Sequence, residues 1–377
     1  TMIDISKLEK TNGYLKGNIQ NCANESLKNL PFEYKKKLSN SFYSINKDEI
    51  NTRISGDEFF VSKKLDGQLQ LIYFENDQIF MIGRNGTVRS NLRSLELLKE
   101  ELKSQNLSSF IGAAELYFYK ENERTRVYDV ISALADENLT GDLSLALFDI
   151  LSINNEDFKS TSYQEVLNKL NEMIPLKKEY HVAETKTVKS KEEVVKLYKN
   201  WVEEHGLEGL IVRSNLPYVY KVKPKYTFDG VVLGFAEGMN DRKGMVKSIL
   251  FGFLIKENLY QVVGKVGNNL SDDFRKELLS QFQNLKTNSS YIMTDNDGIA
   301  YQMVEPKVII EVGCNDILIE SSKGNALDNH MIEYKDSYQF KGNIAGVKFL
   351  FPVFERIRDD KTNCIEDISF DQLQSII

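Results

Sequence analysis

Apolar positions along the chain fall into two periods. FFVSKKLDGQLQLIYF, from Phe59, and the following DQIFMIGRNG pack apolar residues into short stretches broken by polar turns. They predict strands with turns at Asp66-Gly67 and Glu75–Asp77. Leu95, Leu97, Leu98 and Leu102 recur at helical spacing and predict a helix over about Ser94–Ser104. Strands follow at about Phe110–Tyr119 and Leu145–Leu151, helices at about Ser162–Met173 and Lys191–His205, then two β segments, GLIVRS and YVYKVKP.

After Tyr226 the character changes to repeated β runs: GVVLGFA, SILFGFLI, LYQVVGKVG, KVIIEVG and GVKFLFPVF. Short strands separated by Gly, Asp and Asn turns, with one helix near Asp272–Leu285, predict a small barrel. The boundary is expected at Lys225–Asp229. Residues 1–50 are polar and Lys/Asn-rich, with weak helical periodicity around Phe32–Phe42, and read as a short helical extension. The expected organisation is an extension over 1–50, a first domain over 51–226 and the barrel over 227–377. Segments 281–300 and 321–343 exceed the ~12–15 residues of ordinary loops and are candidate insertions that contact substrate.

The length of 377 residues agrees with two or three domains at ~150 residues each. A net charge of −7 excludes an overall basic coat, so any nucleic-acid contact must use local basic surface. Cys22, Cys314 and Cys364 lie far apart and form neither a disulfide framework nor a zinc knuckle, which suits a reducing cytoplasm. No apolar run approaches the ~20 residues of a membrane span, and the start TMIDISKLEK has no apolar leader core.

Lys64-Leu65-Asp66-Gly67 ends a predicted strand, and alone it reads equally as an exposed turn. Lys221 and Lys223 alternate on one strand, so their side chains share a face. Cations near Lys64 would favour loss of its proton and neutralise charge developing on a phosphate. Phe148 reads as core packing or as an aromatic platform for a base. Arg84, in Gly-Arg-Asn-Gly, reads as a turn residue or a phosphate ligand. His181, His205 and His330 stand in no catalytic spacing.

The order of these groups resembles the covalent nucleotidyltransferases: Lys64 to Gly67, Arg84-Asn85-Gly86, Glu115 in AAELYF, Phe148-Asp149 in LALFDIL, Glu208-Gly209 in LEGLIVRS, and Lys221-Val222-Lys223. That superfamily holds the ATP-dependent DNA ligases, RNA ligases and mRNA capping enzymes. LALFDILSINNEDF, the passage YKVKPKYTFDGVVLGFAEG, QVVGKVGNNLSDD, EPKVIIEV and the ending FPVFERIRDDK are most similar to the DNA ligases. The last contains Arg356, Arg358, Asp360 and Lys361 in an R-x-R-x-D-K pattern.

The resemblance implies an α+β fold: an ATP-grasp-like nucleotidyltransferase domain of antiparallel sheets with helices, followed by an OB-fold β-barrel. It implies that Lys64 attacks ATP and becomes lysyl-AMP, with Asp66, Lys221 and Lys223 assisting. Arg84, Glu115 and Phe148 would bind the nucleotide, with Glu115 at the ribose and Phe148 under adenine. Glu208 would help hold Mg²⁺, Asp149 is a candidate supporting carboxylate, and Arg358, Asp360 and Lys361 would orient the β- and γ-phosphates. The Lys225–Asp229 connection would act as a hinge. The expected partners are ATP and a nicked nucleic-acid duplex, DNA rather than RNA, acted on by a monomer that a protein partner could recruit.

This chain departs from the DNA ligase pattern twice. Leu69 stands where K-x-D-G-x-R has its arginine, and Ala113-Ala114-Glu115 replaces D-G-E. Both bear on the polynucleotide more than on adenylation, and keep RNA ligase as the alternative. A capping guanylyltransferase and a non-catalytic OB-fold binding protein are the remaining alternatives.

Overall fold

The computed structural model describes residues 3–121, 125–321 and 325–374. The chain divides into two units between Pro224 and Lys225. In the first, tight turns set the register. Asn76 and Asp77, with φ of 51° and 60°, join Gln68–Glu75 to Gln78–Gly83, leaving Glu75 opposite Gln78. Short polar side chains tolerate this left-handed backbone, whose twist matches a two-residue hairpin. Asn154 and Asn155 turn Leu143–Ile153 into Glu156–Asp157 in the same way.

Among the described residues these strands belong to a nine-stranded sheet in which Gln68–Glu75 pairs with Ser109–Phe118, and that strand with Leu143–Ile153, all antiparallel. Helices Arg93–Ser104, Val127–Leu134 and Tyr163–Met173 send Leu95, Leu98, Leu102, Val130, Val166 and Leu170 into one core with Ile72, Phe74, Phe110 and Leu116. A second, five-stranded sheet runs in the order Thr185–Val188, Phe59–Lys64, Gly209–Ser214, Val219–Val222, Phe42–Ile45. Val61, Val212 and Val222 of this sheet pack with Val194 and Trp201. These last two come from the helix Lys191–Tyr198 and its π-helical continuation Lys199–Glu204, where one helix to His205 is predicted.

Residues 1–50 differ from the expected helical extension. They include the helix Leu30–Ser41, but the hairpin Glu9–Thr11/Tyr14–Asn18 pairs with Thr87–Ser90 at one edge of the large sheet. Phe42–Ile45 runs parallel to Val219–Val222 at one edge of the smaller sheet. These strands are too short to show alternation, and their partners are far away in sequence.

In the second unit, Leu259–Val266, Val246–Lys256, Tyr226–Glu237, Ile309–Cys314 and Val353–Ile357 pair successively in antiparallel fashion. A parallel bridge from Asn268 to Val353 brings the two ends together. There the Phe354 amide donates to Asn268 O at 3.1 Å, and Asn269 Nδ2 to Phe354 O at 2.8 Å. Phe228, Phe251, Phe253 and Phe349 fill the interior. The helix Asp272–Gln283 packs against this core through Leu278, Leu279 and Phe282. Buried Arg275 ties it down by donating to the carbonyls of Leu270, Val246, Lys247 and Gly267. The result is the five-stranded barrel with a helix between its third and fourth strands expected of an OB fold.

Segment 321–343, of which 322–324 lie outside the described residues, contains most of a hairpin, Asp328–Tyr334/Ser337–Ala345, that extends the sheet from Leu259–Val262. Segment 281–300 folds against it, with Asn288 and Ser289 pairing to Ser337 and Tyr338.

Candidate active site

Lys64 is the last residue of its strand and lies opposite Gly209. The chain then turns through Leu65-Asp66-Gly67 and enters the other sheet at Gln68. The turn passes very close to a neighbouring strand: a Cβ on Gly67 would sit 2.2 Å from Leu116 O. Gly209 meets the same limit, since its Cβ would lie 2.4 Å from Val222 O. Both motif glycines are therefore required by backbone approach. Leu65 packs against the cluster that contains Tyr117 and Ala146 of the large sheet, so the turn joins the two sheets mechanically as well as covalently.

Glu208, one residue before the Gly209–Ser214 strand, binds two of the expected lysines on separate oxygens. Lys64 Nζ lies 2.6 Å from Oε2 and Lys223 Nζ lies 3.0 Å from Oε1. All three side chains are mostly withdrawn from solvent, with relative exposures of 18% for Lys64, 12% for Lys223 and 11% for Glu208. Burial alone would raise the Glu208 pKa; the two ammonium groups outweigh it and hold the carboxyl below its ordinary value. Glu208 thus bridges the two lysines.

Lys221 pairs in register with Ile211, and its ammonium lies 4.6 Å from the centre of the Phe42 ring. Glu115 stands opposite Leu69 on one side and Ala146 on the other. Its pKa is pushed up to about 7, chiefly by burial; Lys64 and Lys221 oppose the rise, and Glu208 and Asp66 add to it. These couplings bring Lys64, Asp66, Glu115, Glu208 and Lys221 into one electrostatic neighbourhood.

Phe148 owes its placement to a β-bulge. Ala114 pairs with Leu147 and Ala113 with Asp149, so Phe148 is the extra residue, and a bulge of this kind re-aims a side chain. The half-buried ring touches apolar groups of both neighbouring clusters. Asp149 turns to other partners: its Oδ2 accepts from Tyr34 Oη at 2.8 Å and its Oδ1 from the Ile150 amide at 2.9 Å. Arg84 is exposed in the Gly83–Gly86 turn, next to the end of the Gln78–Gly83 strand.

The basic residues near the end of the barrel are paired within their own unit. Arg358 Nη1 donates to both oxygens of Asp229 at 2.8 and 3.0 Å, and its Nε and Nη2 bind Asp360 at 2.9 and 2.8 Å. Lys361 lies 3.6 Å from Asp229 and 3.3 Å from Asp367, and Arg356 binds Glu311 at 2.6 Å. Hydrogen bonding from Arg358 holds the Asp360 carboxyl far below its ordinary range. Asp229 goes the other way, raised by burial against the pull of Arg358 and Lys361. Asp229, named from sequence only as the end of the inter-domain connection, is the fourth residue of the strand Tyr226–Glu237, and an acidic residue inside an apolar run is the sequence signal for this pairing.

Among the described residues no three His, Cys, Asp or Glu side chains lie close enough together to hold a metal ion alone, and no helix is long and apolar enough to cross a membrane. The donor chemistry near Lys64 still suits Mg²⁺, which takes few carboxylates and fills its remaining positions with water and phosphate oxygens. Glu115, Glu208 and Asp66 are hard oxygen donors, and the elevated pKa of Glu115 reflects their mutual repulsion as well as its burial.

Comparison with known proteins assigns both units. Residues 36–227 match the ATP dependent DNA ligase domain, and residues 242–361 match the ATP dependent DNA ligase C terminal region. The DNA ligase of Methanococcus aeolicus is 24% identical over 81% of this chain and 52% of its own length. That of Sulfurisphaera tokodaii is 23% identical over 85% of this chain and 55% of its own length. The chain thus spans about half the length of these curated relatives. Among solved structures, the ATP-dependent DNA ligase from bacteriophage T7 in complex with ATP has a TM-score of 0.37 at 17% identity, covering 80% of this chain and 100% of that one. On the strength of the two domain matches, the chain belongs to the ATP-dependent DNA ligase family.

Proposed function

We propose that this chain seals 5′-phosphate/3′-hydroxyl breaks in nicked DNA, using ATP and a lysyl-AMP intermediate on Lys64. The observation that carries the reading is the pairing of Lys64 and Lys223 on one buried carboxylate, with Glu115, Asp66 and Lys221 in the same electrostatic neighbourhood. A lysine is a nucleophile only after losing its proton, and Lys223 shares with Lys64 the carboxylate that holds both in place. Glu208, with its depressed pKa, is a poor proton acceptor, so its role is to hold Lys64 and Lys223 in position.

In the first step the Lys64 Nζ–phosphorus bond forms, the bond from the α-phosphorus to pyrophosphate breaks, and the Nζ proton passes to solvent. An oxygen of the 5′-phosphate then attacks the AMP phosphorus and breaks its bond to Lys64 Nζ, after which the adjacent 3′-hydroxyl attacks the 5′-phosphate, loses its proton to solvent and releases AMP as the phosphodiester forms. Lys221 and Lys223 neutralise charge developing on the α-phosphate, and Phe148 offers its ring to adenine. Glu115 is assigned to the ribose and Arg84 to ribose or phosphate. Glu208 would also help to hold Mg²⁺, which when bound supplies positive charge at the phosphates. Arg358 and Lys361 would exchange Asp229 for the β- and γ-phosphates, with Asp360 keeping Arg358 oriented.

A second reading, an RNA ligase, is favoured by Leu69. Its side chain is partly buried against apolar neighbours, so it offers no cation for a nick phosphate. One experiment tests both readings: sealing of a DNA nick, an RNA nick on a splint and single-stranded RNA. Sealing of the DNA nick above the other two supports the first; sealing confined to RNA supports the second; sealing of none overturns both.

A further inference from the structure

Residues 30–45 reach the nucleotide-handling groups at three points. Tyr34, on the helix Leu30–Ser41 and only 4% exposed, donates its hydroxyl to Asp149 at 2.8 Å. The Phe42 ring lies under the Lys221 ammonium, and Ile45 O accepts the Lys223 amide at 3.0 Å. We propose that this segment is a brace for the nucleotide site and that Tyr34 is a positioning residue, setting the Phe148 ring through Asp149. The proposal rests on the functional reading above and goes beyond it, since that reading gives residues 30–45 no part in the chemistry.

The bulge explains why such a brace is needed. A bulge interrupts the ladder and leaves its extra residue without a cross-strand partner, so the flanking residues must be fixed by other contacts. At Phe148 both flanks are fixed. On one side Asp149 resumes pairing with Ala113 while its carboxylate binds Tyr34 and the Ile150 amide. On the other, Leu147 pairs with Ala114 and Val182, and the carbonyl of Phe148 itself accepts the Tyr163 hydroxyl at 2.8 Å. The Arg213 guanidinium lies over both rings, 4.4 Å from the centre of Tyr163 and 5.7 Å from that of Phe148. Simple packing of the N-terminal helix would need only a phenylalanine at position 34. A buried hydroxyl aimed at the carboxylate beside the bulge fixes a direction as well as filling space.

The test is a double-mutant cycle on lysyl-AMP formation, using the full chain, α-labelled ATP and Mg²⁺. Tyr34→Phe removes one oxygen and keeps the ring. The ATP concentration giving half-maximal rate should rise about tenfold, equivalent to ~1.4 kcal/mol, while the saturating rate of adenylation stays within about twofold. In a Phe148→Leu background, where no ring remains to be positioned, Tyr34→Phe should add less than about twofold. Lysyl-AMP formation by the wild type, with an unchanged half-maximal ATP concentration in Tyr34→Phe or the same loss in both backgrounds, would overturn the brace alone. A wild type that forms no lysyl-AMP would overturn both the brace and the reading on which it rests.

Discussion

Glu115 gives a prediction whose sign and size both come from its surroundings. Its carboxyl is buried among Asp66, Glu208, Lys64 and Lys221 and is pushed from the ordinary 4.5 up to about 7. A raised carboxyl pKa means that the folded state binds the proton more tightly than the unfolded chain does. The associated stability is fully present below about pH 4.5 and is lost as pH rises through about 7. The gap corresponds to a loss of about 3 kcal/mol across that window. Glu115→Gln keeps the shape of the protonated acid and cannot ionise. It should match the wild type near pH 4.5 and be more stable by up to about 3 kcal/mol at pH 8, while adenylation weakens.

The assay is urea unfolding without nucleotide at both pH values, followed by tryptophan fluorescence. Trp201 is the only tryptophan in the chain and lies in the core of the smaller sheet of the first unit, so the signal reports the unit that contains Glu115. A Gln variant no more stable than wild type at pH 8 would refute the reasoning. It would mean that Lys64 and Lys221 already balance the charge on Glu115.

Glu208→Gln should act in the opposite sense. A depressed pKa contributes stability above about pH 4.5 that is lost as pH falls, so the variant should lose ~3 kcal/mol or more at pH 7, read by the same fluorescence, and approach the wild type in acid. Gly67→Ala places a Cβ against Leu116 O and should cost ~3 kcal/mol, seen as a lower unfolding temperature together with loss of lysyl-AMP. Asp229→Asn removes the charge that anchors Arg358 and Lys361 and should destabilise the barrel by ~3 kcal/mol in calorimetry, leaving the first unit unchanged.

Much of the fold was legible because long strands and amphipathic helices carry their own period. Leu95, Leu98 and Leu102 mark a helix without reference to anything distant, and the β runs after Tyr226 mark the barrel. The N-terminal strands were not legible. Phe42–Ile45 is a strand only because Val219–Val222 lies beside it, and no local pattern reports a partner that far along the chain. The same limit applied at the site. Lys64, Glu208, Lys221 and Lys223 could be named from motif order, but the sharing of Glu208 by two lysines is a property of packing. The Phe148 bulge depends on register with Ala113 and Ala114, and the Tyr34 contact on how a helix seats against the sheet.

Everything proposed for this site depends on Lys64 being the nucleophile, and incubation of the chain with α-labelled ATP and Mg²⁺, followed by denaturation and peptide mapping, tests it directly. One acid-labile AMP is expected on the peptide containing Lys64, absent from Lys64→Arg and Lys64→Ala, with release of pyrophosphate. Label on another residue, or label that persists in either variant, would contradict it.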